Sequence, residues 1–334
     1  MLGRSKSNPP PQREIGGATL QPLLVDYFTR DGSTLTMRLL ASSPQIAVGG
    51  GYPYEQKYFA YLYRWSHLIE KTEWPRKVWN PGGLATLSQE KQMPLMGAPP
   101  WNERELLDPA VGEERFSEYT FRVLWEEFSR RAAAQTRARH GKRETDVRYY
   151  AEKHLSTWQV DTSALPPFEL IAVLRDPRDT YVSIASFAKK RENDGRKRSM
   201  GQQPGETHDA WLKRHLARQR DRLRWLRKAE DSGKMPVVRY ENLVLNLDEE
   251  ARRLERILGV ELDPAAVAAD EKMRATHVSA STPEASVGRW RREMEPELVK
   301  RFNDELGKEL EALGFDTSVP ERDETLTETP ATSG

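Results

Sequence analysis

Two short segments put anion-binding residue types at useful spacings. The first is Arg30-Asp31-Gly32-Ser33-Thr34, a glycine turn running into a helix start. Such a turn leaves the first backbone N–H groups of the helix unpaired and aims them at an anion. Gly32 lets the backbone approach closely, and the Ser33 and Thr34 hydroxyls add donors. The same residues also make an ordinary helix N-cap. No lysine follows Gly32, so the GxxxxGK[ST] nucleotide loop is absent. The second segment sets Arg175 and Ser183 eight residues apart across a strand-to-helix turn. That is about two helical turns, so the arginine at the strand's end and the serine on the helix can face one phosphate. The arginine fork suits phosphate oxygens. The competing reading pairs Arg175 and Arg178 with Asp176 and Asp179 as surface charges.

The elements around these segments read as alternating strands and helices. The apolar run Leu23–Phe28 precedes the first segment, and Leu35, Leu39 and Leu40 give the following helix an apolar face. Phe168–Leu174 is a mostly apolar strand, as a parallel sheet requires, and it leads into a helix through Phe187. A third strand, Met235–Tyr240, precedes a helix with Leu247, Ala251, Leu254 and Leu258 on one side. Leu298, Phe302, Leu306, Leu310 and Leu313 mark a last long helix. This order predicts an α/β fold, a three-layer parallel sheet with helices on both faces. Between the first two units, residues 49–148 are crowded with aromatics, among them Trp65, Trp74, Trp79 and Trp101, and end in a basic helix through Arg130, Arg131, Arg137 and Arg139. Residues 1–20 and 316–334 read as disordered tails around a domain at 21–315.

Composition narrows the function classes. Across 334 residues, 52 basic side chains against 51 acidic leave a net charge of +1. No bulk field draws nucleic acid or a membrane, so an anion site must be local. Cysteine is absent, which excludes disulfides and thiolate chemistry and fits a reducing compartment. No apolar run approaches the ~20 residues of a membrane span, and the first residues lack the apolar core of a secretory signal. A cytoplasmic location is expected. The six histidines are scattered without metal-ligand spacing, so no metal site is expected.

Taken together, the segments resemble the PAPS-dependent sulfotransferase family, whose co-substrate is 3′-phosphoadenosine 5′-phosphosulfate. Arg30–Leu35 is similar to that family's 5′-phosphosulfate loop, (K/R)SG(S/T)T, and Arg175–Ser183 fills every marked position of its 3′-phosphate motif, R(D/N)PxDxxxS. Tyr240-Glu241-Asn242-Leu243 resembles its YE(D/N)L segment, and Gly288-Arg289-Trp290 its late basic loop. The four matches keep the family's order. The resemblance implies a P-loop nucleotide-kinase-like sheet, sulfuryl transfer to an acceptor hydroxyl on a carbohydrate, lipid or small alcohol, and release of PAP without a metal. Asp31 departs from the small residue usual there. Its carboxylate should repel a phosphosulfate unless it turns away or caps a neighbouring N–H.

The resemblance also implies roles. Arg30 would stabilise the sulfuryl oxygens, Gly32, Ser33 and Thr34 would hold the 5′-phosphate, Arg175, Ser183 and Arg289 the 3′-phosphate, and Tyr240 the adenine side. Two residues compete as general base. Glu55 follows the first helix, like the catalytic glutamate of tyrosylprotein and trehalose sulfotransferases. His154 resembles the histidine of the cytosolic enzymes' KTH segment, although Glu152-Lys153 also resembles an EKT segment in which the next residue is no base. Glu55 is the favoured candidate. The 49–148 insert is the expected acceptor-binding region, and the basic runs Lys189–Arg191 and Arg196–Arg198 could attract an anionic acceptor. The alternatives are a P-loop kinase or NTPase, and a non-catalytic binder of anionic ligands using the basic helices around Arg137 and Arg220. The acceptor and the oligomeric state are not legible in the residues.

Overall fold

The computed structural model describes residues 19–68, 115–142, 144–155, 166–193, 200–233, 235–268 and 282–320. Trp74, Trp79, Trp101 and the rest of residues 69–114 lie outside these residues, as do the run Arg196–Arg198 and most of both expected tails. Within them, β1 (Gln21–Tyr27), β2 (Ile46–Val48), β3 (Tyr149–Leu155), β4 (Glu169–Leu174) and β5 (Val237–Arg239) form one sheet in the order β2-β3-β1-β4-β5. Every pairing is parallel. The arrangement is the expected α/β, nucleotide-kinase-like sheet.

Alternation along the strands divides the core into layers. Leu23 and Val25 of β1, with Ile171 and Val173 of β4, face α1 (Ser33–Ala41) and α7 (Leu247–Leu258). On the other face, Leu24, Ala47 and Tyr150 meet α2 (Tyr58–Leu68) and α3 (Phe116–His140) through Phe59, Phe121 and Trp125. Beside them, Ala172, Leu174 and Val237 meet α4 (Pro177–Asn193), α5 (His208–Ser232) and α10 (Pro296–Ala312). Each fully buried Leu or Phe in these layers stabilises the fold by roughly 1.5–3 kcal/mol. Of the short helices, α6 (Tyr240–Leu245) packs against β5, α8 (Pro264–Ala268) against α1 and α7, and α9 (Trp290–Glu293) against α4.

Three expectations need correction. Tyr240 opens α6 rather than ending a strand. The expected C-terminal tail begins too early, because Arg178 donates to Asp316 O and Asn303 to Thr317 O, at 2.7 Å each. The basic stripe of α5 is not an open binding face: Arg220 pairs with Glu305 and Arg224 with Glu309, tying α5 to α10. Likewise Arg137 Nε donates to Thr145 O at 2.9 Å at the end of α3.

Candidate active site

The strand order reverses between β1 and β4. α1 leaves β1 on one face of the sheet and α4 leaves β4 on the other, which opens a crevice at the strands' carboxyl ends. A cleft of about 340 Å3 lies there, lined by Arg30, Gly32, Ser33, Thr34, Glu55, Lys153, Arg175, Ser183 and Tyr240, among others. Both phosphate segments read from the sequence therefore meet in one place.

The loop after β1 is a tight construction. Arg30 and Gly32 both have left-handed backbones, with φ of 66° and 101°. Gly32 is required sterically as well: a Cβ there would stand 2.2 Å from Cδ2 of Tyr240. The Tyr240 ring also carries the Arg175 guanidinium 4.2 Å from its centroid, and its hydroxyl lies 2.7 Å from Ser286 Oγ. Arg175 donates to Arg30 O at 3.0 Å and to Ser286 O at 2.8 Å, while Arg30 Nε donates to Ser183 Oγ at 3.1 Å. Burial, and then the neighbouring Arg175, lower the Arg30 pKa. An anion in this cleft would relieve that repulsion.

Asp31 is absent from the cleft lining. Its carboxylate turns beneath the loop and accepts from Phe28 N at 2.5 Å and Ser33 N at 3.2 Å. The departure from the family pattern is thus a cap. It also occupies one N–H, that of Ser33, expected to face the 5′-phosphate.

The two base candidates separate by strand parity. Successive β3 side chains point to opposite faces. Lys153 points toward α1 and the cleft, where Nζ donates to Glu55 Oε1 at 2.7 Å, Pro53 O at 2.8 Å and Thr34 Oγ1 at 2.9 Å. His154 points the other way. It is 5 % exposed, and its Nε2 lies 2.8 Å from Glu152 Oε1. Glu152 in turn accepts from Phe59 N and Ala60 N at the start of α2, at 2.9 and 3.1 Å. His154 is therefore built into the helix-capping layer and does not line the cleft. Glu55 remains about half exposed at the cleft's edge. Lys153 was named in the sequence without a role. The alternation along Ala151-Glu152-Lys153-His154 was the signal that could have placed it opposite His154.

The Arg175–Ser183 segment divides by its contacts. Asp176 and Arg178 do pair, at 2.7 Å, but in the interior rather than on the surface. Arg178 stacks 3.7 Å from the Trp290 ring centroid, and Asp179 accepts from Gly288 N and Trp290 N at 2.7 and 2.9 Å. These contacts lock the late loop against α4. Arg289 is buried and is not among the residues that line the cleft; it pairs with Glu293 at 2.7 Å and donates to Ser186 Oγ at 3.0 Å.

The model of the Sulfotransferase family matches residues 28–264, and the chain belongs to that family. No curated protein matches the chain. Similar solved structures include the sulfotransferase domain of the Synechococcus PCC 7002 olefin synthase, at 17% identity and TM-score 0.45, covering 91% of this chain and 98% of that one. The sulfotransferase domain from the curacin biosynthetic pathway is 12% identical with TM-score 0.46, over 90% and 99%. STF9 from Mycobacterium avium is 15% identical with TM-score 0.39, over 91% and 79%. Among the described residues, no helix is long and apolar enough to cross a membrane, and no group of side chains could hold a metal ion.

Proposed function

We propose that this sulfotransferase takes its sulfuryl group from PAPS, transfers it to an acceptor hydroxyl and releases PAP, acting in the cytoplasm without a metal. The observation that carries this reading is the convergence of Arg30, Arg175 and Ser183 at the N-terminus of α1, beside the Glu55–Lys153 pair. The residues fit such a donor. Gly32 keeps the loop low against Tyr240, and the Arg175 Nε is a buried donor with no protein partner.

Roles follow from position. Gly32 and Thr34 backbone N–H groups and the Ser33 hydroxyl face a 5′-phosphate at the helix start. Arg175 and Ser183 hold the 3′-phosphate, Arg289 supports that end of the cleft, and Tyr240 borders the adenine. Arg30 stabilises the charge that develops on the sulfuryl and leaving phosphate oxygens. The acceptor oxygen forms its bond to sulfur as the bond from sulfur to the phosphate oxygen breaks. Glu55 accepts the hydroxyl proton. Lys153 holds the Glu55 carboxylate at the cleft edge and contributes positive charge beside the transferring group. Catalysis of this kind is mostly positioning and charge stabilisation.

Incubation with 35S-labelled PAPS and fractionated cell extracts, with a Glu55→Gln control, tests the reading. Label should pass to an alcohol-bearing fraction with wild-type protein and not with the variant. Transfer that requires ATP instead of PAPS would overturn it.

A further inference from the structure

Beneath the loop after β1 lies a charge cluster for which the chemistry above has no use. Asp26, Asp31 and Arg222 are 0%, 3% and 2% exposed. Arg222 comes from the middle of α5. Its Nη1 pairs with Asp26 Oδ1, while its Nη2 donates to Val173 O at 2.8 Å and lies 3.7 Å from Asp31 Oδ2. One guanidinium thus touches the ends of β1 and β4 and the loop between β1 and α1, the three parts of the chain that frame the crevice.

Asp31 has a specific local task. It stands between two left-handed residues, Arg30 and Gly32, and only the latter adopts that backbone without strain. Its two oxygens gather Phe28 N from one side of the turn and Ser33 N from the other. A serine could cap one of these groups, whereas a carboxylate spans both. The difficulty is charge: the carboxylate sits directly under a site that must hold an anion. A buried charge left uncompensated there would act on the ligand through a low-dielectric interior.

Resting on the donor reading above, we propose that Asp31 and Arg222 are positioning residues for the 5′-anion. Asp31 shapes the loop, and Arg222, anchored by Asp26 and Val173, cancels the Asp31 charge so that the loop can accept a phosphosulfate.

The test compares PAP with adenosine 3′-phosphate, which lacks the 5′-anion, by titration calorimetry on the full chain. Measured at a pH well above the value of about 6 to which burial raises the Asp31 carboxyl, Arg222→Met should weaken PAP by about tenfold or more, since a like charge is then unscreened, and leave adenosine 3′-phosphate within about threefold. Adding Asp31→Asn to Arg222→Met should restore most of the PAP affinity. A purely structural role would move both ligands together and would show no such rescue. If Arg222→Met does not fold, because Asp26 loses the Arg222 charge in the interior, the same comparison is made with Asp26→Asn added to each variant. Equal losses for both ligands, or no rescue by Asp31→Asn, would overturn the proposal. Failure of wild-type protein to bind PAP at all would instead remove the donor reading, and this proposal with it.

Discussion

At the scale of single residues, the base assignment turns on one strand's parity. Glu55 reaches the cleft and His154 does not, although the family resemblance offers both as candidates. Motif spacing does not report which face of β3 a residue occupies, and the polar run Glu152-Lys153-His154 concealed the strand itself. Glu55→Gln should leave PAP affinity nearly unchanged and lower turnover by about 10²-fold or more, measured as PAP release with whichever alcohol supports transfer. His154→Gln should reduce turnover far less. The opposite ranking would make His154 the base. The phosphate segment gives a second prediction. Arg175→Ala and Ser183→Ala should weaken PAP much more than adenosine 5′-phosphosulfate, with the arginine costing about 1.5–3 kcal/mol. Equal losses for both nucleotides would show that these residues do not read the 3′-phosphate.

At the scale of elements, apolar runs made β1, β4 and β5 legible, as the 3.6-residue spacing did for α7 and α10. β2 has three residues, too few for a pattern, and β3 carries the polar run Glu152-Lys153-His154, whose partners are the start of α2 on one face and the cleft on the other. The motif's Asp-Pro-Arg-Asp was legible as charged but not as a fastener of α9, because its partners Trp290, Gly288 and Asn303 lie more than a hundred residues away. The start of α6 carries a prediction of its own. Burial pushes the Glu241 carboxyl up from 4.5 to about 7, against the opposing hydrogen bond from Asp176 N. Because the folded value is raised, this contribution to stability is present below about 4.5 and is lost as pH rises through about 7. Glu241→Gln resembles the protonated form. Urea unfolding should therefore show little difference from wild type at pH 5 and a variant more stable by about 2 kcal/mol at pH 8. Parallel stability curves at the two pH values would contradict this.

At the scale of the whole molecule, near-zero net charge means that the cleft's positive field is made locally, by Arg30, Lys153 and Arg175 at one reversal of strand order. On α5, Arg220 and Arg224 pair with Glu305 and Glu309 of α10, and so hold helices together outside the cleft. Alternating apolar runs were enough to read a parallel sheet and three of its five strands, and four short matches in order named several residues that line the cleft. The buried Asp26–Arg222–Asp31 cluster was not legible, because Arg222 lies 196 residues from Asp26 in the chain and no local pattern joins them. Whether this crevice holds a 3′-phosphorylated adenosine donor is tested most directly by thermal unfolding with added nucleotide. In chelator, PAP should raise the melting temperature in proportion to the logarithm of its concentration above Kd, and ATP at the same concentrations should not. Equal stabilisation by ATP, or stabilisation by PAP only when Mg2+ is restored, would contradict the account.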